Sequence, residues 1–323
     1  MKALRWMMLA FIVLLSCNVY SEEDMNSEEK VQLKEDSTEN LIMEDKTVEE
    51  KTTRTVFDDL QFDIGWRRDW ISAKFVGVSG DVGLSQKYKF DDCDLFQFGL
   101  VNTLKIKKVD IRLRGKGGFL FHSNDIGDYF QIKPGAFTST YYYYGADIRG
   151  WMAEVNLDLG YRFQPNDKLD IMPLVGGEYK YKDYYSKHVH MSTGDVFDKL
   201  EYKPAWYGPY VGLLLNWKAA EILRIEIEYQ FHMPFYDANL DINSFYKTES
   251  KIKSDWGRDA LGNIAKLKFA FKASDKWEIV IDGAYRNYWA KKGSVNWDNL
   301  IDEHISKVSW QALELGLGAL YKF

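Results

Sequence analysis

The residues of this sequence that could do chemistry are its five histidines and a few of its carboxylates. A histidine near a carboxylate can take a proton from water near neutral pH, which is the chemistry of a general base. His122 and His232 each lie near the end of an alternating segment, where a polar residue in the hydrogen-bond network of a barrel lumen is the simpler interpretation. His188 and His190 supply two metal ligands where a zinc site needs three or four, so we predict no metal. His304 lies in a polar stretch and is interpreted as solvated.

Other catalytic signatures are absent from the sequence. Gly115-Lys116-Gly117-Gly118 lies inside an alternating segment, where glycines make room for neighbouring strands, and it does not form a phosphate loop. There is no nucleophile elbow, and we predict no cofactor. Once a signal peptide is removed, Cys93 is the one cysteine left, so no internal disulfide is expected.

The elements that must position these residues are strands. Apolar and polar residues alternate with a period of two in seven long segments, which is the pattern of strands with one apolar face. The segments are 109–121, 151–163, 169–181, 207–217, 223–235, 261–271 and 277–289.

The connections between the segments alternate in length. Short turns are expected at 107–108, 164–168, 218–221 and 273–276, and long polar stretches near 79–93, 123–140, 186–203, 236–258 and 290–308. Such alternation is typical of a membrane barrel with one rim in the periplasm and the other outside the cell. We therefore predict an all-β, transmembrane, antiparallel up-and-down β-barrel of about ten strands. Its first strand, within 60–77, is the least regular, because Trp66-Arg67-Arg68-Asp69-Trp70 breaks the alternation.

The C-terminus is a period-two strand that ends in an aromatic residue. From Leu313 to Phe323 the odd positions are apolar or aromatic, whereas the even positions include Glu314, Gly316 and Lys322. This pattern indicates lipid on one face and a polar lumen on the other. The strand is typical of the signal read by bacterial barrel-insertion machinery, which we predict as a partner together with outer-membrane lipid and lipopolysaccharide.

The N-terminus predicts export. Residues 1–21 combine a basic start, an apolar run and a cleavage-site spacing, and are expected to be a signal peptide. Cys17 could instead end a lipobox and carry a lipid. Residues 22–58 are rich in Glu, Asp, Lys, Ser and Thr and are predicted to be a disordered acidic leader, so that the barrel comprises residues 59–323. The expected location is the bacterial outer membrane after Sec-type export.

Composition supports these expectations. The chain is 46% hydrophobic and 16% aromatic with a mean hydropathy of −0.38, yet no later segment has the eighteen apolar residues that a spanning helix requires. The net charge of −6 argues against nucleic acid as a partner. Tyr and Trp cluster near the strand ends, which favours an interfacial girdle over a carbohydrate platform.

The polar face of the predicted strands is unusually charged. The residues expected in the lumen carry both signs and include Arg112, Arg114, Glu154, Arg162, Arg224, Glu226, Glu228 and Arg286. Buried charges persist when they are paired, so we expect an ion-pair network that fills a barrel of this size. A general porin is accordingly disfavoured.

The order of strands, turns and loops over residues 60–323 resembles the omptins, ten-stranded outer-membrane barrels whose proteolytic members are aspartate-histidine endopeptidases. The resemblance is clearest in 202–213, in 222–235 and in the closing 316–323. It implies an omptin-like fold with a catalytic site at the extracellular mouth. In those members an Asp-x-Asp pair in the second long loop faces an Asp-x-His pair in the fourth.

The catalytic pattern of the omptins is not preserved. The second loop offers Asp125 and Asp128, which are one residue too far apart, and an ungapped comparison places Asp241 at the aspartate and Asn243 at the histidine. Asn has no titratable nitrogen, and loss of a general base typically costs 10²–10⁴-fold in rate. If the chain were a protease, Asp125, Asp128, Asp241 and His232 would be its candidate residues.

Three functions compete. A non-proteolytic surface, structural or adhesion-type barrel fits the charged lumen and the missing histidine, and we favour this non-enzymatic interpretation. An omptin-type endopeptidase with an altered site fits the fold and the remaining carboxylates. A small porin or channel fits any barrel but is opposed by the charged interior.

Overall fold

The structure, a computed structural model, describes residues 58–79, 82–123, 126–134, 139–145, 148–191, 196–243, 247–253, 260–291, 293–297 and 302–323. Every regular element in these ranges is a β-strand, and there are sixteen. The predicted signal peptide, Cys17 and almost all of the predicted leader lie outside the described residues, as does Asp125. No helix in the described part of the chain is long and apolar enough to cross a membrane.

All strands in the described residues pair in antiparallel fashion. Their bounds are β1 Asp59–Ser79, β2 Val82–Ile106, β3 Val109–His122, β4 Ile126–Pro134, β5 Ser139–Gly145, β6 Ile148–Tyr161, β7 Phe163–Asn166, β8 Leu169–Met191, β9 Val196–Ala220, β10 Leu223–His232, β11 Phe235–Asn243, β12 Lys247–Lys253, β13 Ala260–Lys272, β14 Trp277–Ala290, β15 Ser294–Trp297 and β16 Asp302–Lys322.

The membrane part is a closed ring of ten strands. Its order is β1, β2, β3, β6, β8, β9, β10, β13, β14 and β16, and β16 pairs with β1 to close it. Within this seam Ile64 lies opposite Leu317 and Arg67 lies opposite Glu314. Closure leaves no free sheet edge in lipid, where an unpaired backbone group would cost several kcal/mol. The predicted ten-stranded antiparallel barrel is confirmed.

The wall continues above this ring as a second one. The outer parts of β2, β8, β9 and β16 pair with β4, β5, β11 and β15, and β12 pairs with β11 and β15. With the pairs β4–β5 and β8–β9, and with the outer part of β1 between β2 and β16, these ten strands also close. The interpretation of 79–93, 123–140, 186–203, 236–258 and 290–308 as long polar connections is therefore wrong for much of their length. These segments lack the strict apolar alternation that lipid imposes, yet the ladder satisfies their backbone groups.

The predicted faces of the membrane strands are confirmed. Outward residues such as Ile227, Leu157 and Leu317 are 51%, 51% and 52% exposed, whereas inward Glu314 and Asp158 are both 0% exposed. An apolar outside with a polar inside is the arrangement that lipid imposes on a barrel.

Strand β1 alternates without a break from Gln61 to Lys74. Arg67 and Asp69 point inward and are fully buried, whereas Trp66, Arg68 and Trp70 point outward. The segment looks irregular in sequence because its outer face changes there from apolar residues to Trp and Arg. We infer that this change marks the outer boundary of the lipid, where amphipathic rings and charges are favoured.

Candidate functional site: the packed lumen

The lumen of the lower ring has three layers. Nearest the extracellular side is an aromatic layer, next comes an ionic layer, and at the end with the short turns there is a cavity. The aromatic layer consists of Tyr88, Phe90, Tyr184, Tyr202, Trp206, Tyr236, Tyr288 and Trp310, each at most 2% exposed.

Rings of the aromatic layer stack across the lumen. Phe90 stacks on Tyr202 with centroids 5.1 Å apart, and Trp206 tilts against Tyr236 at 4.5 Å. The hydroxyls of Tyr202 and Tyr236 hydrogen-bond to each other, so the polar ends of two buried rings are satisfied. The layer packs the lumen where the two rings of the wall meet.

Cations lie against the innermost face of this layer. The Lys182 ammonium is 3.6 Å from the centroid of Trp310, and the Arg67 guanidinium carbon is 4.9 Å from it. The Lys180 ammonium lies 4.0 Å from the Tyr288 centroid. Desolvated cation–π contacts of this kind contribute about 2 kcal/mol each.

Asp69 joins the aromatic and ionic layers. Its carboxylate accepts hydrogen bonds from Arg67 Nε at 2.7 Å and Lys182 Nζ at 2.6 Å. It also accepts bonds from the Tyr184 hydroxyl at 2.7 Å and Trp310 Nε1 at 3.1 Å. Sequence reasoning missed Arg67, Asp69 and Lys182 as lumen residues. Arg67 and Asp69 alternate with Trp66, Arg68 and Trp70, and this period of two could have revealed both as lumen residues.

The ionic layer contains a first quartet, formed by Arg67, Arg286, Glu154 and Glu314. Arg67 contacts Glu154 at 2.5 Å and Glu314 at 3.3 Å, and Arg286 contacts the same glutamates at 2.9 and 2.6 Å. None of the four side chains is more than 3% exposed. Each charge therefore has two partners of opposite sign, which is what burial of a charge requires.

A second quartet lies next to the first, formed by Arg112, Arg114, Asp158 and Glu228. Arg114 contacts Asp158 at 2.7 Å and Glu228 at 3.0 Å, and Arg112 contacts them at 3.0 and 3.2 Å. Lys266 adds a third cation to Glu228 at 3.1 Å. The two quartets bring together Arg112, Arg114, Glu154, Glu228 and Arg286 of the predicted lumen charges. They also contain Asp158 and Glu314, which lie on the predicted polar faces of their strands, and Arg67, which the sequence did not place in the lumen.

The remaining predicted lumen charges lie at the end with the short turns. Arg162 bonds Asp110, and Arg224 bonds Glu226 and, at 2.6 Å, Glu278. Lys268 contacts Glu226 at 2.5 Å. All of these residues except Glu278 line a cavity of about 270 Å³.

His232 lies deep in the ionic layer, on the lumen face. Its Nδ1 lies 2.9 Å from Glu178 Oε1, and its Nε2 lies 3.0 Å from Gln230 Oε1. The ring is packed between Tyr210 and Tyr288 and is 0% exposed. An imidazole with both nitrogens occupied by protein groups and no access to solvent is poorly placed to activate a water for an extracellular substrate.

The other residues predicted for a protease are in the upper ring or outside the described residues. Asp125 is outside them. Asp128 lies in β4 opposite Tyr88, and Asp241 lies in β11 opposite Glu201. Asp128 and Asp241 therefore lie on strands, β4 and β11, that do not pair with each other in the described residues.

His122 lies on the outer face of the barrel. A register shift between Asp94 and Leu95 brings His122 opposite Asp94, whose side chain accepts bonds from outward Trp66 and Arg68. The interpretation of His122 as a lumen residue is therefore wrong. A bulge adds one residue to a strand and moves the next side chain to the other face, and period-two counting does not detect it.

No group of three or more His, Cys, Asp or Glu residues in the described ranges could hold a metal ion. Cys93 is buried and free.

A closed antiparallel barrel with an apolar exterior and a packed polar lumen defines the chain as an outer-membrane β-barrel. The model of one family, Pom, Protochlamydia outer membrane protein, matches residues 61–320. The chain belongs to this family, and its location is the bacterial outer membrane. No curated protein matches the sequence.

Among solved structures, the chain is similar to the outer membrane protease OmpT from Escherichia coli. The TM-score is 0.61 at 12% identity, over 82% of this chain and 97% of OmpT. The translocator domain of the autotransporter NalP from Neisseria meningitidis gives a TM-score of 0.37 at 11% identity, over 82% of this chain and 88% of that domain. The similarity to OmpT confirms the omptin-like fold, and at 12% identity it shows nothing beyond the fold.

Proposed function

We propose that this protein is a non-proteolytic surface barrel with a closed lumen, which serves the outer membrane as a structural or adhesion-type protein. One observation carries the proposal: the lumen is filled from wall to wall by two ion-pair quartets beneath an aromatic layer. The second ring, beyond the lipid, is the surface that such a protein would present to its surroundings.

A filled lumen opposes steady conduction. Ions cross a barrel through a continuous path of water, but Arg67, Glu154, Arg286 and Glu314 are at most 3% exposed. Opening a path here would separate buried charges from their partners, which typically costs several kcal/mol for each ion.

The residues at the omptin catalytic position and in the lumen oppose proteolysis. OmpT is a protease by name, but the position matched to the histidine of the omptin pair is Asn243. The nearest lumen imidazole, His232, is held by Glu178 and Gln230 below the aromatic layer. Neither Asn243 nor His232 could serve as an accessible general base at the extracellular mouth.

Conductance and cleavage assays test both halves of the proposal. The folded protein, with lipopolysaccharide, is expected to cleave no peptide that carries paired basic residues, while an omptin protease prepared in parallel cleaves it. In planar bilayers it should show no stable large current. Cleavage abolished by Asp241→Asn would restore the protease hypothesis, and a steady current whose selectivity changes in Glu226→Gln/Glu228→Gln would favour a channel.

The surface role needs its own measurement. Cells of a laboratory bacterium that display the barrel should adhere to host-cell or mineral surfaces, or resist envelope stress, more strongly than cells that carry an unrelated barrel at equal density. Equal behaviour in every assay would count against both the adhesion and the structural form of the proposal.

A further inference from the structure

The cavity at the periplasmic end of the lumen differs in charge from the layers above it. Its volume is about 270 Å³, close to the lower limit of small-ligand pockets. Seven lysines and arginines line it, against four carboxylates. Its rim includes Lys105 and Lys322, which are 34% and 40% exposed and lie beside the short turns, so the cavity opens toward the periplasm.

The carboxylates of the wall do not neutralise these cations one for one. Glu226 serves both Arg224 and Lys268, and Glu278, just outside the wall, serves both Arg224 and Lys322. Asp59 pairs with Lys105, Asp110 pairs with Arg162, and Arg112 is held by Asp158 and Glu228 of the second quartet. Among the described residues, Lys218 is the cation of the lining that makes no carboxylate contact.

Two of the cations have N–H groups that are free to donate to a ligand. In the part of the chain that the structure describes, the Lys218 ammonium bonds a backbone carbonyl, that of Asp167, at 3.4 Å and makes no carboxylate contact. At the floor, the Arg112 side chain is nine-tenths buried, and its Nε has no hydrogen-bond partner among the described residues. A buried N–H left unsatisfied in this way is costly, which indicates a position for an acceptor.

Apolar side chains complete the walls. Met172 and Leu214 pack together on one side, and Leu320 and Val101 also face the cavity. Low-dielectric walls strengthen the attraction between the basic rim and an anion, and they focus the field into the opening.

We propose that this cavity is a binding site for a small multivalent anion that enters from the periplasm, with Arg112 at the floor and Lys105 and Lys218 at the rim. Phosphates and compact polycarboxylates carry the charge and the acceptor oxygens that the site requires. The barrel wall encloses the cavity, so the ligand is a soluble solute and not a lipid headgroup. The inference goes beyond the proposed function and does not depend on whether the lumen conducts.

The test uses inorganic pyrophosphate as the probe and the folded full chain in detergent micelles. Calorimetric titration is expected to give saturable 1:1 binding that weakens as ionic strength rises. The rim variant Lys105→Gln/Lys218→Gln should lose about tenfold or more in affinity, because it removes two charged partners of the anion.

A matched control separates the site from a general charge effect. Lys108→Gln/Lys168→Gln removes the same charge from turn residues that do not line the cavity, and should change the affinity by threefold or less. Arg112→Lys keeps the charge but removes Nε–H, and should also bind more weakly. If Arg112→Lys fails to fold, as judged by gel mobility, the rim variant decides alone. Absence of saturable binding, or an equal loss in rim variant and control, would overturn the proposal.

Discussion

The two ends of the lumen use the same residue types in different ways. Toward the extracellular side, Arg67, Arg286, Glu154 and Glu314 are buried, and each has two partners of opposite charge. Toward the periplasm, Lys105 and Lys218 are partly exposed, and Lys218 makes no carboxylate contact among the described residues. Where every buried charge has partners of opposite sign, the interior is packed and structural. Where an exposed cation lacks a carboxylate partner, it can bind a ligand. The number of carboxylate partners, more than the number of charges, distinguishes these regions.

The largest effect that would test this comparison is the loss of one charge from the first quartet. Arg286→Met leaves Glu154 and Glu314 short of a partner in a buried site, and should lower the free energy of unfolding by about 3–5 kcal/mol. Denaturant titration of the barrel in lipid or detergent measures it. A loss below 1 kcal/mol would show that water reaches the quartet.

Outward residues provide a second comparison, between the lipid-facing wall and the wall beyond it. Ile227→Arg places a charge in lipid and should cost about 2–4 kcal/mol. Gln311→Arg, on an exposed outward position that is already polar, is the control and should cost less than about 1 kcal/mol. Similar costs at both positions would contradict the boundary that β1 and β16 indicate.

The aromatic layer is expected to contribute less than the quartet. Trp310→Phe removes the hydrogen bond to Asp69 and weakens the contact with Lys182, for a loss of about 1–3 kcal/mol in unfolding free energy. Trp277→Phe, at a 46% exposed position of the outer wall, should change it by about 0.5 kcal/mol or less. If the two variants unfolded at the same denaturant concentration, the cations near Trp310 would not stabilise the layer.

The smallest expected effect is at the rim of the cavity. Lys322 contacts Glu278 with its side chain 40% exposed, and Lys322→Gln should cost no more than about 1 kcal/mol, less at high salt. The same denaturant titration measures it. A cost comparable to that of Arg286→Met would mean that the periplasmic end is as dry as the quartet.

Much of the lower ring could be predicted from sequence, because lipid imposes a strict apolar period on one face of each strand. The strands, the short turns and most of the lumen charges of β3, β6 and β10 follow from that period. The outer parts of β8 and β9 could not be predicted in this way, since their sequence lacks the strict apolar alternation that lipid imposes. The position of His122 depends on a bulge that residue types do not specify.

The site was predictable in composition but not in pairing. Glu154 and Arg286 were expected in the lumen, but they belong to strands that are distant in sequence, and their common contact with Arg67 depends on strand tilt and stagger. The lumen residues of β1 were missed because its outer face changes character at the edge of the lipid. The anion cavity depends on an imbalance of partners, which appears only when contacts are known.

The first quartet draws its four members from β1, β6, β14 and β16, and Arg67 and Glu314 face each other across the seam between the first and last strands. During insertion, a sheet whose ends have not met would hold these charges without their partners. Its energy falls steeply only when β1 and β16 meet, since contacts of such long sequence separation must first overcome the entropy of closing the loop between them. The seam quartet therefore disfavours half-closed barrels, and we expect closure of the sheet to be an all-or-none event.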